Sequence, residues 1–334
     1  MLIKFLGDCH FGKRPSHSTK ASAHRHKSKV DAAAQRALGT PHDMLIQLGD
    51  LFESYAATNN DMVRAADATR TCDYILKGNH DHSHNSYNVS ALEDLEELCD
   101  APVIKEPCIQ KVAEVDDSIS LHFIPYMPTQ TEFLEALDNL APVRDEVNIL
   151  ILHTNIYGEG FNTSEVENNL TKERALELSG RFDLVVSGHE HNGSCKHGVH
   201  MVGSLYPHNF GDISSKSVLI FDTETKEITK ELIWNASLGY TSVTPEQFLK
   251  LDNNHGFDFI EISGDVPSTE ILPLVKHVGA LLNDSAVSGI KNNVKVLRNI
   301  DVSGDATPSV NWKEFVKEQL TDEQYELFLE LDDV

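Results

Sequence analysis

Positive charge is scarce in this 334-residue chain: 28 Lys and Arg stand against 52 Asp and Glu, leaving −24 at neutral pH. Phosphate binding draws its affinity from basic side chains, so the total taken alone argues against a nucleic-acid partner. Cysteine is also sparse. Cys9, Cys72, Cys99, Cys108 and Cys195 are odd in number, widely spaced and without a CxxC pair, which excludes a disulfide framework and a thiolate zinc site. No apolar run approaches the ~18 residues of a membrane span, and the opening MLIKFLGDCHFG turns polar too early for a secretory leader. A cytoplasmic protein with reduced thiols and no membrane partner is expected. The Asn-x-Ser/Thr sequences at Asn88, Asn162, Asn169 and Asn235 then carry no glycosylation meaning.

What is present is an ordinary globular composition, 40% hydrophobic and 24% charged, long enough for two domains. Short apolar runs alternate with helix-like stretches, the pattern of an α/β protein. Strands are predicted at Leu2–Leu6, Met44–Leu48, Asp73–Leu76, Val147–Leu152 and Asp183–Ser187. Ser90 with Glu93 and Thr129 with Glu132 fit capping boxes at helix starts. Between Gly193 and Ile233 the pattern becomes a hairpin, Ser217–Phe221 and Glu227–Ile233, predicted to lie in a second sheet. The rhythm breaks after Asn235, and Thr244, Pro245 and Gln247 open a new unit, which sets a domain boundary near residue 238. That unit reads as strand Asp258–Ile262, helix Thr269–Leu282, strand Val294–Ile300 and two closing helices.

Five motifs sit at or just past the predicted strand ends: Gly7-Asp8-Cys9-His10, Gly49-Asp50, Gly78-Asn79-His80-Asp81, His153 and Gly188-His189-Glu190-His191. Groups beyond the carboxyl ends of strands in an α/β sheet converge on one crevice. Asp8 with His10, and His189 with His191, are spaced i and i+2, which in extended chain places both side chains on one side. Carboxylate, amide and imidazole donors suit a borderline divalent ion such as Mn²⁺, Fe²⁺ or Zn²⁺. There are donors enough for two ions, and Asp50 is the natural bridge between them. A pair of ions about 3.5–4 Å apart can grip a phosphate and drive in-line displacement at phosphorus.

In this order, over residues 7 to 191, these motifs resemble the calcineurin-like metallophosphoesterases. The resemblance implies a two-sheet αββα sandwich in residues 1–238, a smaller α+β capping domain in 239–310, and C-terminal helices in 311–334. It implies Asp8, His10, Asp50 and His191 around one ion and Asp50, Asn79, His153 and His189 around the other. His80 would contact the scissile phosphate and help the leaving oxygen depart, with Asp81 orienting its ring. His82, His84, His197, His200 and His208 fall outside the ligand pattern and read as surface or supporting groups.

The substrate class follows from flanking residues. Superfamily phosphoprotein phosphatases carry an arginine just after Gly-Asp; here the run is Gly49-Asp50-Leu51-Phe52-Glu53, which favours a phosphodiester. The Gly-Asp-Leu-Phe-Glu and Gly-Asn-His-Asp blocks, with a small C-terminal unit, resemble the SbcD family of double-strand-break nucleases and a compact, phage-encoded version of it. That resemblance implies DNA recombination and repair by a manganese-dependent exo- and endonuclease, Mg²⁺, Fe²⁺ or Zn²⁺ being alternatives to manganese. It also implies an SbcC-type coiled-coil ATPase partner, a homodimer within a heterotetramer, and work in a host cytoplasm. Glu53 stands where some relatives carry a histidine. The alternative is a phosphomonoesterase or small cyclic-nucleotide phosphodiesterase of the same superfamily.

Two further stretches matter. Lys13, Arg14, Lys20, Arg25, Lys27 and Lys29, with no acidic residue among them, form a basic loop that could approach DNA beside the ligand His10. From Trp312 to Leu331 apolar residues recur at helical spacing, a face for packing or for the ATPase.

Overall fold

A computed structural model describes residues 1–15, 18–83, 85–113, 118–157 and 168–297. The chain divides into two compact units, Met1–Lys13 with Lys27–Ala236, and Arg14–His26 with Ser237–Val334, the described part of the second ending at Leu297.

The first unit is built on two six-stranded sheets. The first sheet contains β1 (Leu2–Leu6), β2 (Met44–Gln47), β3 (Tyr74–Leu76) and β4 (Val103–Ile104). The second contains β5 (Cys108–Ala113), β6 (Ser118–Ile124), β7 (Val147–His153), β8 (Leu184–Gly188), β9 (Ser194–Lys196) and β10 (Val199–Met201). The hairpin strands β11 (Lys216–Asp222) and β12 (Ile228–Trp234) complete the first sheet, in order β12-β11-β1-β2-β3-β4. This corrects the expectation of a separate sheet for that hairpin: β11 pairs antiparallel with β1, Ile3 facing Phe221 and Phe5 facing Leu219. The second sheet runs β9-β10-β8-β7-β6-β5, with β6, β7, β8 and β10 mutually parallel.

Between the sheets lies a core of Ile3, Phe5, Ile46, Leu48 and Leu76 against Leu121, Phe123, Ile149, Ile151 and Val186. All seven residues of β7 are buried, which explains its unbroken apolar run: its other face is covered too. There Leu150, Leu152 and Val185 meet Phe133 and Leu137 of helix Gln130–Asn139 and Ala175 and Leu178 of helix Lys172–Arg181. On the first sheet Lys4 alternates away from this core, and its Nζ donates to the carbonyls of Ala37 and Thr40 at the end of helix Lys20–Leu38, where a cation complements the helix dipole. The layers are those of an αββα sandwich.

Thr129 accepts from the Glu132 N–H as a helix cap, whereas Ser90 takes the N–H of Leu92 rather than that of Glu93. Thr244 and Gln247 form the expected reciprocal capping box. In the second unit strands Tyr240–Val243, Phe259–Pro267 and Gly289–Leu297 pair in parallel. Helix Ile271–Asn283 packs Leu274, Val278 and Leu282 against Ile260 and Ile262. The expected helices in 311–334 lie outside the described residues.

Candidate metal centre

The loops that follow β1, β2, β3 and β8 carry Asp8 and His10, Asp50, Asn79 and His80, and His189 and His191, while His153 is the last residue of β7. All seven expected metal ligands are brought together. Asp8, His10 and His191 form one tight group of ligand atoms, and Asp50, His153 and His189 another. Asn79 joins the second group, its Oδ1 lying 3.0 Å from His153 Nε2 and 2.9 Å from His189 Nδ1. Asp50 Oδ2 lies 3.4 Å from His153 Nε2 and 3.8 Å from His10 Nε2, between the two groups as a bridge must.

Close backbone approach explains the glycines. A Cβ on Gly78 would sit 2.2 Å from the Asp50 nitrogen, and one on Gly49, whose φ is +94°, would sit 2.4 Å from His153 Nδ1. The ligands themselves are held under strain: His10, Asp50 and His189 all have positive φ, 47°, 49° and 82°. Such conformations persist only where the surroundings over-determine them, and they cluster at functional sites.

The donor set fits divalent metal ions. Asp8 Oδ2 is buried and makes no hydrogen bond, while Asp8 Oδ1 accepts from the His189 N–H at 3.1 Å. An unpaired buried carboxylate oxygen is costly unless a cation meets it. Two imidazole nitrogens, His10 Nε2 and His191 Nε2, face each other at 2.9 Å. His191 Nδ1 lies 3.1 Å from Asp212 Oδ2, so its proton sits on Nδ1 and its Nε2 lone pair points inward, while His10 Nδ1 stands in ion-pair contact with Glu53 Oε2 at 2.9 Å without a hydrogen bond between them. His153 follows the same logic with a neutral partner, its Nδ1 donating to the Leu48 carbonyl at 2.7 Å.

Charge balances inside the centre. Burial opposes ionisation of Asp50, yet neighbouring His153, with His10 and His80, holds its carboxyl well below the usual carboxylate range. Burial would likewise lower His153, but the Asp50 carboxylate pushes it up to about 9. A divalent ion would take the place of that proton.

His80 stands at the edge of the centre. Its backbone N–H donates to Asp50 Oδ1 at 2.8 Å, and its ring Nδ1 meets the Glu53 carbonyl at 3.0 Å. This corrects the expected role of Asp81. The Asp81 carboxylate accepts from the N–H groups of Phe52 and Gly78 at 2.9 and 2.8 Å, so it ties the two ligand loops together and the Glu53 carbonyl orients the ring. Burial and the nearby Asp50 raise Asp81 to about 7.

The basic stretch also departs from expectation. Lys20, Arg25, Lys27 and Lys29 lie on helix Lys20–Leu38 rather than in a loop. Lys13 pairs with Glu53 at 2.6 Å, Lys27 with Asp61 at 2.8 Å, and Arg25 with Asp258 at 2.9 Å. Arg14 precedes the helix and is exposed. Cys9 is buried, with burial raising its thiol and Sγ directed at the Gly7 carbonyl, as packing rather than ligation requires. His208, set aside in the sequence, is buried with its ring centroid 5.1 Å from that of His10. His84 lies outside the described residues.

The sequence matches the profile of the calcineurin-like phosphoesterases over residues 1–193, a span that includes every candidate ligand. The chain belongs to that family. No curated protein matches it. Among solved structures it is similar to a metallophosphoesterase from Sphaerobacter thermophilus, with 14% identity, TM-score 0.31, and coverage of 70% of this chain and 88% of that one. It is also similar to a protein of unknown function from Aquifex aeolicus, with 18% identity, TM-score 0.26, and coverage of 51% and 88%. Among the described residues no helix is long and apolar enough to cross a membrane.

Two residues at the centre escaped sequence reading. Asp212 follows the last motif by 21 positions with no spacing signal to mark it. Glu53 was visible as a departure from a histidine and as a charge that disfavours a monoester, but its contact with His10 is a product of the fold.

Proposed function

We propose that this phosphoesterase hydrolyses DNA backbone phosphodiesters as a two-metal exo- and endonuclease. The observation that carries a diester over a monoester is Glu53. Its carboxylate stands 2.9 Å from His10 Nδ1 and its carbonyl holds His80, so an ionised carboxylate borders the place where the phosphoryl group must sit. A dianionic monoester meets more repulsion there than a monoanionic diester. Where superfamily phosphatases place an arginine clamp, this chain has the buried Leu51.

Asp8, His10, Asp50 and His191 would hold one ion and Asp50, Asn79, His153 and His189 the other, with manganese the expected metal. Such ions polarise the phosphoryl oxygens and make an oxygen nucleophile available at neutral pH. The chain's own work is positional and protonic. Asp50 Oδ1 and the Glu53 carbonyl fix His80 from two sides, leaving Nε2 to give a proton to the departing sugar oxygen. Asp81 keeps the loops of Asp50 and Asn79 in register through its two backbone hydrogen bonds.

DNA as the substrate rests on the SbcD-like blocks. With Lys13, Arg25 and Lys27 each ion-paired, duplex affinity is supplied chiefly by a coiled-coil ATPase partner, docked on residues 311–334. The test compares Mn²⁺-dependent hydrolysis of linear DNA, bis(p-nitrophenyl) phosphate and p-nitrophenyl phosphate by one preparation. DNA and the small diester should be cleaved at least about tenfold faster than the monoester, a gap of ~1.4 kcal/mol in barrier. The reverse order would move the assignment to a phosphomonoesterase.

A further inference from the structure

We propose a third cation site at the edge of the centre, formed by Glu53, His10 and His80, which takes a borderline divalent ion when metal is in excess and arrests the enzyme. The proposal rests on the two-metal reading above and deepens it by naming how that centre is inhibited.

One ligand atom from each of His10, Glu53 and His80 lies within 4.8 Å of the others, a third such group beside the two already described. His10 Nδ1 and Glu53 Oε2 stand 2.9 Å apart, both atoms are buried, and neither has a hydrogen-bond partner. They are near enough for a hydrogen bond but misaligned for one, since an N–H must point at its acceptor. A metal ion asks for a different geometry. Neighbouring donors on an octahedral ion with bonds of about 2.0–2.1 Å lie about 2.9 Å apart, with the ion off the line between them. The His10 side chain is fully buried, and an unsatisfied nitrogen there is costly until a cation meets it. Two imidazoles and one carboxylate suit Mn²⁺, Zn²⁺ or a similar borderline ion.

The ion is held weakly and acts on the groups that do the chemistry. Lys13 Nζ donates to Glu53 Oε1 at 2.6 Å, which leaves Oε2 for the ion but sets a second cation beside it. Their repulsion keeps the affinity below that of the two main positions. A neutral imidazole offers one lone pair, so His10 cannot serve the new ion through Nδ1 and the first ion through Nε2 together. Occupancy therefore draws His10 from its place opposite His191, where the two Nε2 atoms lie 2.9 Å apart. It also engages the ring of His80, which stands edge to face with His10 at a centroid distance of 4.8 Å. A metal-bound His80 is not free to give its proton to the leaving oxygen. Glu53 makes the site, and Lys13 restrains it.

The experiment titrates Mn²⁺ into the metal-free full chain, counting bound ions by the electron paramagnetic resonance signal of free Mn²⁺ and following hydrolysis of bis(p-nitrophenyl) phosphate in parallel. Three ions per chain are expected, the third at least about tenfold weaker than the others, with activity rising as the first two bind and falling with the third. Glu53→Gln should lose the third ion and move the falling limb to at least about tenfold higher Mn²⁺. Lys13→Ala should do the opposite, tightening the third ion by at least about threefold. The opposite signs separate an ion at this site from general damage to the centre, and Lys13→Ala carries the test alone if circular dichroism shows Glu53→Gln to be unfolded. Two ions per chain, a third that does not lower activity, or a third indifferent to both variants would overturn the proposal while leaving the two-metal reading standing. Absence of Mn²⁺ binding would overturn both.

Discussion

Two stretches of this chain invite functional reading, the five ligand motifs and the basic residues from Lys13 to Lys29, and the fold treats them in opposite ways. The ligand motifs converge: seven side chains from four loops and the end of β7 meet, with Asp8, Asp50 and His153 at most 1% exposed. The basic stretch is dispersed, in part along a helix, and Lys13, Arg25 and Lys27 are engaged by Glu53, Asp258 and Asp61. A buried, strained and incompletely satisfied cluster exists because a ligand completes it, whereas exposed charges find partners wherever the chain offers them.

The sharpest way to break that comparison is to remove one member of each set. Asp50→Ala deletes the bridge and should lower Mn²⁺-dependent diester hydrolysis by at least about 100-fold, beyond the loss typical of supporting residues. A variant that kept full activity would show that the convergence is structural.

A second prediction concerns pH. His153 is raised from the ordinary imidazole value to about 9 by the Asp50 carboxylate. A raised folded-state value stabilises fully below about pH 6.5 and is lost as the pH climbs through about 9. The melting temperature of the metal-free protein should therefore fall by at least about 3 °C between pH 6.5 and pH 9. Bound Mn²⁺ needs His153 neutral, so metal affinity should rise over the same interval, with proton release on binding. Parallel trends with and without metal would contradict the assignment of His153 as a ligand.

The smallest effect is expected from the basic helix. Combined Lys13→Ala, Arg25→Ala and Lys27→Ala should weaken duplex binding by the isolated chain by less than about tenfold at physiological salt. Cations already paired release few counterions on binding. A collapse of binding, with a salt slope reduced by about three, would show that the ion pairs open to DNA and would restore the basic stretch as an interface.

Much of the fold was legible. Leu2–Leu6 is a strand as expected, and the expected Val147–Leu152 and Asp183–Ser187 differ from the observed strands by a residue at one or both ends. Buried parallel strands write themselves as short β-branched runs. Ser118–Ile124 went unread because Ser120 and His122 interrupt its apolar pattern; both are buried, with His122 Nε2 meeting Asn148 Oδ1 at 2.9 Å. The hairpin was visible but its destination was not, since pairing with β1 depends on strand register across more than two hundred residues. Asp81 shows the same limit at the site: adjacency to His80 suggested a partner, yet its carboxylate reaches back to Phe52 and Gly78.

The sequence by itself pointed to the seven candidate ligands and to the family, because they gather at the carboxyl ends of five strands, four of the five motifs carrying a glycine and two of them a chelating pair. Those are local facts, and local facts survive in one dimension. Only the tertiary structure decided what stands behind the ligands: Glu53 against His10, Asp212 against His191 and the Leu48 carbonyl against His153. It also decided which lysines and arginines are taken up in ion pairs. Hydrogen bonds between distant segments depend on how loops approach one another, and no spacing along the chain records that approach.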